Sequence, residues 1–176
     1  MIIQRKWAMP NKWTFQIHPI KQLLDKYVGD GVGWIDPFAG NNSPAEFTND
    51  LNPHTSAKLH LDAVDFIKTL DSSIIKGCLF DPPYSSRQVS ECYKMVGKKV
   101  TSLDTSSHFW KVLKDDISTK LSSGGLVISC CWNSNGFGIN RGFELIEILL
   151  VAHGGFHNDT IVTVERKINQ EKLISF

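Results

Sequence analysis

The sequence has no apolar run near the ~20 residues that a membrane-spanning helix needs. Its first residues, Met1 to Met9, include Arg5 and Lys6 but no apolar core of signal-peptide length. Secretion and membrane insertion are therefore not expected, and the chain reads as cytoplasmic. Cysteines in metal-binding spacing are also lacking. Cys78, Cys92, Cys130 and Cys131 form no CxxC or CxH pair, and the last two are adjacent inside an apolar run. They read as reduced packing residues of a cytosolic protein, not as a zinc site or a disulfide framework. An excess of one charge is missing too: 19 Lys and Arg stand against 18 Asp and Glu, a formal net charge of +1. Bulk charge neither demands nor excludes a polyanionic partner. There is no repeat, low-complexity block or Pro/Ser/Gly-rich linker. A chain of 176 residues fits one domain, 1–176, long enough to bury its own core.

Charge is uneven along the chain. From Ile35 to Tyr84 the acids Asp36, Glu46, Asp50, Asp62, Asp65, Asp71 and Asp81 face only Lys58, Lys68 and Lys76. From Ser85 to Val100 the balance reverses, with Arg87, Lys94, Lys98 and Lys99 against Glu91. The stretch before Trp34 is basic as well. An acidic middle between basic flanks suits a cationic small molecule held beside a polyanion. Scattered solvated charge is the plainer alternative.

Apolar spacing predicts helices over Pro19–Val28, Ala63–Leu70 and Phe109–Leu121, with Asp62 as a cap for the second. Buried strands are expected at Val32–Ile35, Phe47–Asp50, Ile74–Phe80 and Leu126–Trp132. Phe143–Ala152 and Asp159–Glu165 flank His153-Gly154-Gly155-Phe156-His157-Asn158 and predict an antiparallel hairpin, with His153 and His157 as turn residues. Strands alternating with helices and closing on a hairpin indicate an open α/β sheet with a largely parallel core. In such sheets ligands bind beyond the carboxyl ends of the strands, where Asp36-Pro37-Phe38-Ala39-Gly40 and Asp81-Pro82-Pro83-Tyr84 both fall.

Asp81-Pro82-Pro83-Tyr84 carries the sharpest chemistry. Two successive prolines fix φ and remove two main-chain donors, which leaves a stiff turn rich in acceptors. An exocyclic amine conjugated with its ring is a poor nucleophile. The Asp81 carboxylate and the Pro82 carbonyl are suited to take its two hydrogens and favour a pyramidal nitrogen with a free lone pair. The Tyr84 ring is suited to stack on the base and hold it in line. The alternative is a plain turn with a capping acid.

This turn after a strand, with Asp36 to Gly40 upstream, resembles the S-adenosylmethionine-dependent amino-methyltransferases of DNA. Within these it is most similar to the adenine-N6 enzymes of bacteria and their phages. The resemblance covers nearly the whole chain. It implies a Rossmann-like class I methyltransferase fold, α/β, with a mainly parallel sheet and a C-terminal antiparallel hairpin. It implies S-adenosyl-L-methionine as cofactor, DNA as partner, no metal, and methylation of adenine N6 with Asp81, Pro82, Pro83 and Tyr84 as the catalytic turn. By the same resemblance Asp36, Phe38, Ala39 and Gly40 hold the methionine part of the cofactor, with Ala39 and Gly40 allowing close approach. Asp50 accepts from the ribose hydroxyls and Leu51 covers the cofactor adenine. Asp62, with Ala63 after it, accepts from the adenine amine, and can cap a helix as well. Trp13, Thr14 and Phe15 belong to a segment that closes over the methionine end.

The chain departs from the family pattern in three places. Met9-Pro10-Asn11 stands where relatives have glycines. Positions 40 and 50 are too close for a long helix between the first two strands. A target-recognition domain is replaced by a short insert-like loop at about 85–107. That loop is expected to be flexible and to reach phosphates through Arg87, Lys98 and Lys99, with Trp132 and Asn133 lining the target-base pocket. An ordinary surface loop at 85–107 and a simple turn at Asn133 are the plain alternatives. Sequence readout would then be short, loose or supplied by a second subunit, so a homodimer enters among the expected partners. Other readings stay open: an RNA or cytosine-N4 amino-methyltransferase, a protein-glutamine methyltransferase (for which Asn would be expected in place of Asp81), or a non-catalytic or partner-dependent subunit.

Overall fold

The computed structural model describes residues 1–102 and 104–168; Leu103, within the 85–107 stretch, lies outside the described residues. The elements in chain order are β1 (Ile2–Trp7), α1 (His18–Tyr27), β2 (Trp34–Asp36), β3 (Phe47–Thr48), α2 (Ala63–Thr69), β4 (Gly77–Phe80), α3 (Ser86–Met95), α4 (Ser107–Lys120), β5 (Leu126–Cys131), β6 (Phe143–Ala152) and β7 (Thr160–Lys167). The strands form one seven-stranded sheet in the order β1-β6-β7-β5-β4-β2-β3. Every neighbouring pair is parallel except those of β7, which runs antiparallel to both β5 and β6. The connection from β6 to β7 is too short for a parallel return, so β7 must reverse.

The core lies in two layers, one on each face of the sheet, because successive strand residues point to opposite sides. In β4, Leu79 packs with Ile20, Leu23 and Leu24 of α1. Its neighbours Cys78 and Phe80 pack with Phe66 and Ile67 of α2 and with Leu113 and Ile117 of α4. In β5, Ile128 and Val127 divide the same way. Cys78 and Cys130 are fully buried, Cys92 and Cys131 are half-buried, and all four are free thiols. Asp62 caps α2, its carboxylate accepting from the Val64 N–H at 3.1 Å.

Three features differ from the sequence-based expectation. β1 was not foreseen as a strand. It is an edge strand whose residues are nearly all exposed, so it shows no apolar alternation and is held by parallel main-chain pairing with β6. The stretch 85–107, expected as a flexible loop, contains helix α3. Ser85 caps it, accepting from the Gln88 N–H at 3.3 Å, and Arg87 pairs with Glu91 one turn on at 2.9 Å. His153, expected as a turn residue, is buried and bridges two segments. Nδ1 lies 2.9 Å from the Ala8 carbonyl, and Nε2 lies 2.9 Å from the Thr160 hydroxyl. A carbonyl only accepts, so Nδ1 carries a hydrogen and donates to Ala8.

Among the described residues no helix is long and apolar enough to cross a membrane.

The link from β2 to β3, residues 37–46, contains no helix, although parallel crossovers usually carry one. The link returns tightly over the start of β2: the Gly33 N–H donates to Glu46 Oε2 at 2.7 Å, and the Glu46 N–H donates to the Gly31 carbonyl at 3.1 Å. Gly31 has φ +77°, and a Cβ there would lie 1.9 Å from the Pro44 carbonyl oxygen. Gly31→Ala is therefore expected to destabilise the fold by about 2 kcal/mol or more, read as a lowered urea midpoint. A midpoint unchanged from the native protein would contradict this tight return.

Candidate active site

β2 sits between β3 and β4, so the chain leaves its carboxyl end toward one side while β4 occupies the other. A crevice opens at such a switch point. The Asp36–Gly40 loop and the Asp81–Tyr84 turn leave the two adjacent strands there, and both border a cavity of about 560 Å³. That volume lies in the range of cofactor and small-ligand sites.

The first wall is sewn together by hydrogen bonds. The Phe38 N–H donates to Asp36 Oδ1 at 2.9 Å, and the Gly40 N–H donates to Asp50 Oδ2 at 2.9 Å. Asp50 Oδ1 accepts from the Asn52 N–H at 2.8 Å. Gly40 has φ +53°, which only glycine adopts freely, and the Trp13 ring faces its α-carbon side. Fully buried Asn49 organises this wall. Its amide donates to the carbonyls of Pro37 and Leu61 at 3.2 and 3.0 Å and accepts from the Leu61 N–H at 2.9 Å. Asn49 thereby joins the first loop to the segment that carries Asp62.

Asp62 serves two partners. One oxygen caps α2, and the other accepts from the Tyr93 hydroxyl of α3 at 3.0 Å.

The second wall is the Asp81–Tyr84 turn. The Tyr84 hydroxyl donates to Asp81 Oδ1, and the Tyr84 N–H donates to Gln88 Oε1 at 2.6 Å. The Tyr84 ring meets Trp132 edge-on at 5.5 Å between centroids. Removal from water pushes the Asp81 carboxyl up to about 6, against the opposing pull of hydrogen bonds from Tyr84 and Thr14. Tyr84 is raised, first by burial and then by the Asp81 charge.

All four residues of the turn line the cavity, together with Trp13, Thr14, Phe38, Gly40, Asp50, Leu51, Asp62 and Ala63. Phe15 and Ala39 border a smaller adjoining cavity instead, and Phe15 is buried in the core beside α1. Asp36 is fully buried beneath its loop and lines neither cavity. None of the expected substrate contacts lines the cavity either. Arg87 is exposed and paired with Glu91, and Lys98 and Lys99 are exposed beyond α3. Trp132 meets the site edge-on at the Tyr84 ring. Asn133 forms a local turn, accepting from the Asn135 N–H at 3.0 Å.

Sequence reasoning missed the roof of the cavity, which comes from Gln88, Val89, Cys92 and Tyr93 of α3 with Phe109 and Trp110 of α4. A signal was present: Ser85-Ser86-Arg87-Gln88 is a capping-box pattern, followed by Val89, Cys92 and Val96 at helical spacing.

The sequence matches no protein-family model and no curated protein. Solved structures with a similar fold include the 1,6-didemethyltoxoflavin-N1-methyltransferase of Burkholderia thailandensis, with bound 1,6-didemethyltoxoflavin and S-adenosylhomocysteine. It shares 12% identity over 86% of this chain and 78% of that one, with a TM-score of 0.56. NSun6 of Pyrococcus horikoshii, in a structure with SFG, shares 14% identity over 80% of this chain, with a TM-score of 0.53. The match covers 49% of the NSun6 chain. At such identities the likeness is one of fold. The chain has a Rossmann-like class I methyltransferase fold, mainly parallel with a C-terminal antiparallel hairpin.

Burial pushes the Asp36 carboxyl up to about 7, against hydrogen bonds from Ser43 and the Phe38 N–H. Its ordinary value is 3.8, so between these values the fold binds this proton more tightly than the unfolded chain does. The resulting stabilisation is complete below about pH 4 and is lost as pH rises through about 7, an effect on the order of 4 kcal/mol. Asp36→Asn is expected to remove this loss, so the variant-minus-native stability difference rises with pH from 4 to 7 in denaturant titrations. A difference independent of pH would contradict the burial of this carboxyl.

Proposed function

We propose that this protein is an S-adenosyl-L-methionine-dependent methyltransferase acting on the N6 amine of adenine in DNA. The observation that carries this reading is the convergence of Asp81, Pro82, Pro83 and Tyr84 with Asp50 and Asp62 around one cavity at the sheet's switch point.

The residues fit the cofactor. Acidic and aromatic groups suit a cationic, partly apolar ligand, and the side-chain-free Gly40 lets the first loop approach it closely. Asp50 would accept from the ribose hydroxyls and Leu51 would cover the adenine. Asp62 and Ala63 would lie at the adenine edge, and Trp13, Thr14 and Phe38 at the methionine end. When bound, the cofactor supplies an electrophilic methyl on its sulfonium sulfur.

The chain's own contribution is placement and electrostatics. The Asp81 carboxylate and Pro82 carbonyl accept the hydrogens of the target amine and free its lone pair. The two prolines keep these acceptors rigid. Tyr84 holds the base by its ring and steadies Asp81 by its hydroxyl. No strong base is needed, because the proton can leave to water after transfer. The exposed cations Arg87, in the first turn of α3, and Lys98 and Lys99, just beyond its end, suit contact with DNA phosphates.

Asp81→Ala is expected to lower methyl transfer at least about a hundredfold while leaving cofactor affinity within a few-fold of native. Asp50→Ala is expected to show the reverse pattern, with weakened cofactor binding in calorimetry. Ionised Asp81 is a stronger acceptor for the amine than the protonated acid, so kcat/KM of the native protein is expected to fall below about pH 6. Normal turnover by Asp81→Ala would overturn the assignment of the turn.

A further inference from the structure

Ser85 and Gln88 stand in the S-x-x-Q relation of a capping box, and the first half of the box is regular: Ser85 Oγ accepts from the Gln88 N–H. The second half is displaced. The glutamine of a capping box ordinarily returns to the N–H of the cap residue. Here Gln88 Oε1 passes Ser85 and takes the N–H of Tyr84 at 2.6 Å. Pro82 and Pro83 have no N–H, so this is the first main-chain donor after Asp81 itself.

The displacement has a chemical consequence. A main-chain N–H only donates, so the side-chain atom facing it must be the amide oxygen, and the orientation of the amide is fixed. Gln88 also lines the cavity. With its oxygen bound to the turn, what it has left to offer a ligand is Nε2, with two N–H donors. Asp81 and Pro82, in the turn to which Gln88 is bound, line the same cavity, and on the adenine-N6 reading the Asp81 carboxylate and the Pro82 carbonyl are its two acceptors. A donor beside two acceptors complements an amine whose carbon also bears a ring nitrogen with a free lone pair. In adenine that nitrogen is N1.

We propose that Gln88 is a specificity-determining residue: anchored to the catalytic turn through its oxygen, it donates from Nε2 to the ring nitrogen beside the target amine and selects substrates with an N=C–NH2 edge. This rests on the adenine-N6 reading above. It assigns Gln88 a contact with substrate in addition to the structural bond with Tyr84.

The test uses the full chain and DNA oligonucleotides carrying adenine, 1-deazaadenine or 7-deazaadenine at every adenine position, each as a single strand and annealed. For the native protein, kcat/KM is expected to fall about tenfold or more with 1-deazaadenine and to stay within about twofold with 7-deazaadenine. Replacing N1 by carbon leaves the amine less delocalised and more nucleophilic, so intrinsic reactivity would move the rate the other way. Gln88→Glu keeps an acceptor for the Tyr84 N–H but loses the donor. It is expected to methylate adenine about tenfold less efficiently and to lose the preference for adenine over 1-deazaadenine. Equal rates of the native protein on adenine and 1-deazaadenine would overturn the role of Gln88, as would a preference that survives in Gln88→Glu. If that variant does not fold, the analogue comparison on the native protein decides alone. Absence of transfer to adenine in any oligonucleotide would instead overturn the adenine-N6 reading, and this role with it.

Discussion

The site depends on a shortage of main-chain donors where β4 ends. Two prolines follow Asp81, and the first N–H after them, that of Tyr84, is taken by Gln88. This bond ties the turn to the first turn of α3, and α3 in turn reaches Asp62 through the Tyr93 hydroxyl. One helix thus spans from the Asp81–Tyr84 turn to the acid at the far side of the cavity. The geometry of the turn follows from this frame: stiff by proline, oriented by Gln88, and closed over Asp81 by the Tyr84 hydroxyl.

The opposite wall is built on a different economy of polar groups. The link from β2 to β3 has no helix to satisfy its main chain, so side chains do that work. Asp36 holds the Phe38 N–H, Asp50 holds those of Gly40 and Asn52, and Asn49 bridges two loops from a fully buried position. Burying the Asp36 carboxyl here works against the fold at neutral pH, as does the loss of water around Asp81 across the cavity, since both are raised chiefly by that loss. A site that accepts a cationic ligand recovers part of that cost when the ligand binds.

The sheet was legible where burial forces a pattern. β2, β4 and β5 read as continuous apolar runs because both faces are covered, and α1 and α2 declared themselves by spacing and by Pro19 and Asp62. β1 was not legible, since an exposed edge strand carries no alternation. The cavity lining was legible at Asp81–Tyr84, Gly40, Asp50 and Asp62, which the motifs marked and the fold brings together. It was hidden where tertiary contact decides. Nothing in the spacing says that Asn49 is buried between two loops, or that Phe15 turns into the core beside α1 rather than toward the main cavity. α3 stands between these cases. Its basic residues suggested a loop over phosphates, while its capping box and i,i+4 pair already marked a helix.

The central claim is that the acceptors of the Asp81–Tyr84 turn activate an adenine amine. It is tested most directly by incubating the protein with methyl-labelled S-adenosyl-L-methionine and unmodified DNA, with RNA in parallel, and separating the nucleosides after digestion. The account predicts label in N6-methyldeoxyadenosine. Label confined to another nucleoside or to RNA, or no label in any nucleic acid despite measurable cofactor binding, would contradict it.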